Sequence, residues 1–146
     1  MMCVTSVVAE DFEVDGIYYN ILSEENKTVE VTKGGNKYTG AVVIPETVTY
    51  EDVTYWVTSI GERAFYGCSG LKDVHINDLS AWCKIDFDGS YSNPLYYAHN
   101  LSLNGEKVTN LVIPNDITEI KDFAFYNCNN FVKVTIPGSV ITIGEN

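Results

Sequence analysis

His75 and His99 are the only two histidines, and Cys3, Cys68, Cys83 and Cys128 the only four cysteines, so nucleophilic or metal chemistry would have to start from them. A thiolate beside an imidazole is an effective nucleophile, and Cys128 with His75 would form one such pair. The surroundings of Cys128 read as apolar core, however, where a thiolate is unstable. Gly67-Cys68-Ser69-Gly70 lacks the extra spacer that a G-x-S-x-G nucleophile elbow needs. No cysteine belongs to a C-x-x-C pair, which leaves a zinc site without support. Asp86 and Asp88 alternate and would share one face of a strand. A calcium loop needs further oxygen ligands and a distal Glu, which residues 86–93 do not provide. P-loop, GxGxxG and HExxH patterns are missing as well. The expectation is a non-catalytic chain with no cofactor and no metal. Cys68, Cys83 and Cys128 sit among aromatic or small apolar residues and read as buried thiols acting as small hydrophobes.

Composition narrows the partners. The 146 residues suit one domain, and 45% hydrophobic content with 20% charged residues excludes a disordered chain. Twenty acidic residues against nine basic ones give a net charge of −11, which repels phosphate backbones. Nucleic acid is excluded as a partner on that basis. No apolar run reaches the roughly 18 residues that a spanning helix requires, so the chain is not expected to span a membrane. Residues 1–9 are weakly apolar and precede the acidic run Glu10-Asp11-Phe12-Glu13. Val7 and Ala9 fit the small-residue positions before a signal-peptidase cut, although a basic start and a longer apolar core are missing. Residues 1–9 read as the remnant of an export signal, with a frayed terminus as the competing reading. Asn26-Lys27-Thr28 and Asn100-Leu101-Ser102 fit the glycan-acceptor pattern, which matters only in a host that uses it.

An internal repeat dominates the remainder. Residues 60–76 and 120–136 align without a gap on the template I-x-x-x-A-F-x-x-C-x-x-[LF]-x-x-V-x-I. Its apolar positions are Ile60, Ala64, Phe65, Cys68, Leu71, Val74 and Ile76 in the first copy. The second copy has Ile120, Ala124, Phe125, Cys128, Phe131, Val134 and Ile136. Ile113 to Ile136 and Ile120 to Ile143 are both steps of 23 residues, within the roughly 20–29 range of leucine-rich repeats. The step from Ile76 to Ile113 is 37, so residues 78–105 contain an insertion. The chain stops at Asn146, inside the unit that Ile143 opens. An array ending there is expected to be part of a longer one, or to borrow a neighbour that covers Ile141 and Ile143.

The A-F-x-x-C-x-x-L-x-x-V-x-I-P pattern resembles the BspA-like, or Treponema-type, leucine-rich repeat proteins of bacteria. The likeness is close over residues 60–76 and 111–146, and residues 78–105 look like an enlarged repeat of the same kind. Residues 10–59 resemble the β-rich caps that precede such repeats. Asn77 stands where Pro follows the other Val-x-Ile ends, and Phe131 replaces the usual Leu. The resemblance implies an α+β repeat solenoid, a right-handed stack of leucine-rich-repeat coils behind a β-hairpin-rich N-terminal cap. It also implies a secreted or cell-surface protein that adheres to host proteins or to other cells.

These residues must be positioned by short elements. Val74 and Ile76 alternate as on a strand, while Ala64, Phe65 and Cys68 have the spacing of one face of a helical turn. One such coil cannot bury its apolar side, so neighbours must stack on it and the ends need caps. Residues 12–22 and 28–32 read as antiparallel strands around a polar turn, and residues 47–57 as a hairpin around Glu51-Asp52. The expected organisation is a possible signal remnant over 1–9, a cap with the first strand over 10–59, and repeats over 60–146. By the Val-x-Ile phase, Asp73 and His75, Asn110 and Val112, and Lys133 and Thr135 point outward in successive units. That row is either a binding surface for a protein partner or ordinary solvated sheet. The insertion aromatics Tyr91, Tyr96 and Tyr97 suit a protein or glycan surface. The competing and favoured reading packs Leu79, Trp82 and Ile85 as a local helix and continues the core through Leu95, Leu101 and Leu103. The leading expectation is a surface protein mediating protein–protein interaction. A carbohydrate-binding module and a structural spacer are the alternatives.

Overall fold

The computed structural model describes residues 10–146; the export-signal remnant expected over residues 1–9, with Cys3, lies outside them. The chain opens with β1 (Phe12–Val14) and β2 (Ile17–Ser23), paired antiparallel across Asp15-Gly16. Both turn residues have positive φ, 51° and 80°, as a two-residue hairpin following strand twist requires. β3 (Thr28–Thr32) returns antiparallel to β2. β4 (Gly40–Ile44) follows, then β5 (Thr47–Tyr50) and β6 (Val53–Ile60), a second hairpin turning at Glu51-Asp52, again with positive φ. Phe12 stacks on Tyr50 at 4.4 Å between ring centres, joining the two hairpins through their buried faces.

From β6 onward the chain winds. β7 (Leu71–Ile76) leads into α1 (Leu79–Cys83), β8 (Asp86–Phe87), α2 (Leu95–Ala98) and β9 (Leu101–Leu103). Residues 78–105 are therefore nearly a full coil. After β10 (Glu106–Lys107), which pairs antiparallel with β9, come β11 (Asn110–Val112), β12 (Glu119–Ile120), β13 (Lys133–Thr135) and β14 (Thr142–Ile143). Parallel pairing stacks the coils into two walls. On one wall Ile44, Ile76 and Leu103 lie in register across β4, β7 and β9, and β11 pairs with β13. On the other, Val31, Ile60 and Phe87 align across β3, β6 and β8, and Ile120 pairs with Ile143. The Ile120–Ile143 pair realises the 23-residue period as one winding.

The segment after Ile60 is not a helical turn. It is a run of tight turns, with Ala64 N–H donating to Gly61 O, Tyr66 to Arg63 and Cys68 to Phe65, at 3.0–3.1 Å. Positive φ at Arg63 (55°) and Gly67 (75°) interrupts any helical path, and Phe123 (61°) and Asn127 (60°) do the same in the second copy. Helix is confined to α1 and α2 among the described residues, so the solenoid is mostly strand and turn.

Between the walls Ile60, Ala64, Phe65, Cys68, Leu71, Val74 and Ile76 are buried, as are Ile113, Ile120 and Ala124. The insertion joins the same core: Trp82, Ile85, Leu95 and Leu101 are buried, and the half-buried Leu79 and Leu103 pack against it. Trp82 Nε1–H donates to Ala124 O at 2.9 Å, and Asn93 Nδ2–H donates to Phe123 O at 2.6 Å. These bonds tie the inserted coil to the turn that follows it. The last coil departs from the sequence expectation. Phe125, Cys128 and Phe131 are only half-buried, while Val134, Ile136 and Ile143 are exposed at 49%, 45% and 61%. No further coil among the described residues covers them, and a coil buries its apolar side only against a neighbour.

Candidate functional site

Strand alternation turns Val43, His75 and Ser102 to one face of the first wall, in register across β4, β7 and β9. Asp73 and His75 lie within ion-pair distance, Nε2 to Oδ2 at 3.3 Å, and Ser102 Oγ–H donates to both Asp73 oxygens at 3.0–3.1 Å. A serine nucleophile needs an imidazole to accept its proton. Here Ser102 donates to Asp73 and not to His75, so the hydroxyl lacks the imidazole contact that would activate it. Asn110, Val112, Lys133 and Thr135 lie on β11 and β13 with Asn110 opposite Lys133 and Val112 opposite Thr135. All four are exposed.

The expected single row is thus two patches. β9 and its hairpin partner β10 stand between β7 and β11, and the gap is a depression of about 320 Å³. Leu103, Lys107, Thr109, Asn110 and Val112 line it. Sequence reasoning missed this groove because Leu101-Ser102-Leu103 lacks the Val-x-Ile-Pro signature that marks the other strands. It missed Ser102 for the same reason.

The insertion tyrosines come together with two that were not singled out. Tyr66–Tyr91, Tyr91–Tyr96 and Tyr96–Tyr97 are edge-on contacts at 5.1, 5.0 and 4.8 Å, and Tyr126 stacks on Tyr96 at 5.9 Å. Tyr66 and Tyr126 each follow the Ala-Phe of the template, a signal in plain view. Gly67 N–H donates to the Tyr97 hydroxyl at 2.8 Å. The hydrogen bond to Tyr91 raises the Tyr96 phenol above its ordinary range. Arg63 and Lys37 both lie over Tyr66, at 5.4 and 5.8 Å. These contacts are the packing of successive turns, and only Tyr66 and Tyr91 in the cluster are exposed.

Nucleophile chemistry gains nothing from the thiols. Cys68 and Cys83 are buried, and Cys128 Sγ–H donates to Asn130 Oδ1 rather than meeting His75. Burial pushes the Cys83 thiol up to about 12 and that of Cys128 to about 11. Asp86 pairs with Lys121 at 3.0 Å, and among the described residues no three His, Cys, Asp or Glu side chains converge on a metal position. A larger depression of about 710 Å³ lies between the first hairpin and β4. Its Tyr38 hydroxyl donates to Thr32 O at 2.6 Å and accepts from Tyr18 N–H, so it is committed within the chain. No helix among the described residues is long and apolar enough to cross a membrane.

The model of the BspA type leucine-rich repeat region matches this chain in six copies, over residues 43–90 and 99–146. Residues 1–42 and 91–98 lie outside the match, and the second of these stretches carries Tyr91, Tyr96 and Tyr97. The leucine-rich repeat protein of T. pallidum is 20% identical with a TM-score of 0.56, covering 92% of this chain and 64% of that one. A leucine-rich repeat protein of Bacteroides ovatus is 26% identical, TM-score 0.42, covering 93% and 44%. A leucine rich cell surface protein of Faecalibacterium prausnitzii is 21% identical, TM-score 0.42, covering 92% and 44%. The likeness to the T. pallidum protein shows the solenoid fold. The chain spans less than two thirds of the length of each of these structures. No curated protein matches the chain significantly.

Proposed function

The chain belongs to the BspA-type leucine-rich repeat family, and on that premise we propose that it is a non-catalytic, exported binding module. Its partner is a host or bacterial surface protein, held on the cell surface or outside the cell, and adhesion is the consequence. The observation that carries this reading is the exposed patch of Asn110, Val112, Lys133 and Thr135 at the rim of the groove between β10 and β11. Val112 is 59% exposed, and none of the four side chains has a hydrogen-bond or ion-pair partner among the described residues. With no such partner, these side chains are free to make hydrogen bonds, charge pairs and apolar contact with another protein. The Ser102–Asp73–His75 trio supports the non-catalytic part, because the Ser102 hydroxyl donates to the carboxylate and not to the imidazole.

The test compares the wild-type chain with Val112→Asp/Lys133→Glu for binding to immobilised host matrix proteins and bacterial envelope proteins. The expected result is saturable wild-type binding to at least one of them, weakened about tenfold or more in the variant, with an unchanged Tm. Equal binding by both chains, or binding to none of the panel, overturns the reading.

A further inference from the structure

Trp56 is 51% exposed in the middle of β6, while its strand neighbours Tyr55 and Val57 are buried. Alternation along the strand holds the indole out to solvent from a rigid base. The other tryptophan, Trp82, is buried and its N–H is satisfied within the core. Trp56 forms part of an open cavity of about 460 Å³, within the usual size range of small-molecule sites. Glu46, Thr58, Ser80, Lys84 and Asp116 contribute polar groups to its wall.

That wall is assembled from four separated segments, at Glu46, 56–58, 78–84 and Asp116, and fastened together. Ser80 Oγ–H donates to Asp116 Oδ1 at 2.7 Å and Lys84 Nζ donates to Asp116 Oδ2 at 3.0 Å. The Ser80 and Lys84 hydrogen bonds hold the Asp116 carboxyl below its ordinary range, and Asp116 in turn raises the Lys84 ammonium. Both groups therefore stay charged through neutral pH. Asp78, also in the wall, spends one oxygen on Ala81 N–H at 2.8 Å. The Glu46 carboxylate makes no hydrogen bond or ion pair among the described residues, its backbone carbonyl accepting from Val57 N–H at 2.9 Å, and Lys84 keeps further donors after its bond to Asp116.

The chemistry of the cavity selects against most ligand classes. Three carboxylates against one ammonium repel an anion. The same surplus would draw a cation, but Asp116 is already paired with Lys84 and Asp78 is engaged by Ala81 N–H, which leaves the Glu46 carboxylate as the one without a partner to hold it. A wholly apolar ligand would strip water from Glu46 and Lys84 without replacing their hydrogen bonds. A flat apolar surface beside fixed donors and acceptors suits a ring with a C–H face and an edge of hydroxyls, each able to donate and accept. We propose that this cavity binds a neutral saccharide unit, its C–H face packed on Trp56 and its hydroxyls on Glu46, Lys84 and Thr58. The site shares no residue with the groove between β10 and β11, so it stands or falls independently of the protein-binding reading.

The test titrates maltotriose, cellotriose and mannotriose at millimolar concentration, with tri-arginine and a trigalacturonate as cationic and anionic controls. The readouts are acrylamide quenching of Trp56 fluorescence and the indole N–H resonances, on which Trp82 serves as the internal buried reference. The expected result is saturable protection of Trp56 by at least one neutral trisaccharide, with Trp82 unmoved. Trp56→Ala should abolish the binding seen by calorimetry, Trp56→Phe should retain part of it, and Glu46→Gln should weaken it severalfold, all at unchanged Tm. The proposal is overturned if no neutral trisaccharide protects Trp56, if only tri-arginine or trigalacturonate does, or if sugar binding survives in Trp56→Ala.

Discussion

Residues 60–76 and 120–136 follow one template and take one path, yet only the first copy is a core. Both copies turn through positive φ at matching places, Arg63 with Phe123 and Gly67 with Asn127. Their closing turn bonds match as well: Cys68 N–H donates to Phe65 O at 3.0 Å and Cys128 N–H to Phe125 O at 3.1 Å. Phe65, Val74 and Ile76 are nevertheless fully buried, whereas Phe125 is half-buried and Val134 and Ile136 are exposed. The first copy has a coil on each side, with Gly40 N–H donating to Gly70 O and Val74 N–H to Asn100 O, both at 2.9 Å. In the second, β13 pairs with β11 on one side alone, and the next winding meets only its start, through the Ile120–Ile143 pair and the Phe123 N–H bond to Glu145 O. Local sequence dictates the course of a coil; its neighbours supply the stability. That is the behaviour expected of a quasi-one-dimensional stack.

Matched substitutions break or sharpen this comparison. Phe65→Ala should cost about 3–5 kcal/mol, the loss expected of a buried aromatic. Phe125→Ala, at the same template position, should cost only about 1–2 kcal/mol because the side chain starts half-solvated. Urea unfolding of the two variants measures both, and equal losses would contradict the role given to neighbours. Asn93→Ala removes the donor to Phe123 O and the N–H partner of Leu95, and should cost about 1–3 kcal/mol. Its effect should be felt in the turn at 121–128 rather than in β1–β3, as amide chemical shifts would report.

Alkaline pH supplies a third test. Burial raises the thiol of Cys83 from an ordinary value near 9 to about 12, and that of Cys128 to about 11. The protonated thiols favour the fold, so their contribution is complete below about pH 9 and disappears as pH climbs through 11 and 12. Burial shifts the phenols of Tyr19 and Tyr38 upward too, in the same sense. Stability should fall above pH 9, and Cys83→Ala should flatten that fall; a flat wild-type profile to pH 11 contradicts it. The smallest effect is kinetic. In a Cys3→Ser background a thiol reagent should modify Cys128 before its template equivalent Cys68, because the outer coil opens at lower cost. Mass spectrometry of partly labelled chains gives the order.

The sequence made some parts of this molecule readable and hid others for physical reasons. Glu51-Asp52 marks a hairpin turn through local backbone chemistry, which any window of a few residues contains. Asp15-Gly16 does the same, yet residues 12–22 read as one strand because apolar residues continue on both sides of the turn, and the structure splits them into β1 and β2. The template positions are legible because each winding repeats the same inward side chains. Burial at 134 and 136 was misjudged from that template, since it depends on what lies beyond the coil, whereas the exposure of Ile141 and Ile143 follows the expectation that they lack a covering neighbour. The inserted winding was harder still: Leu101-Ser102-Leu103 pairs as a strand without the repeat signature, so the groove beside Asn110 and the Asp73–Ser102 contact were not visible. Trp56 reads as one more residue of an alternating strand until α1 and Asp116 close a wall beside it.

Native-state hydrogen exchange, residue by residue, addresses the stacking claim most directly. Amides of β7, flanked on both sides, should exchange only with global unfolding, while those of β13 and β14 exchange through cheaper local opening. Equal protection of β7 and β13 would show that each winding holds itself together, and the account built on neighbours would be wrong.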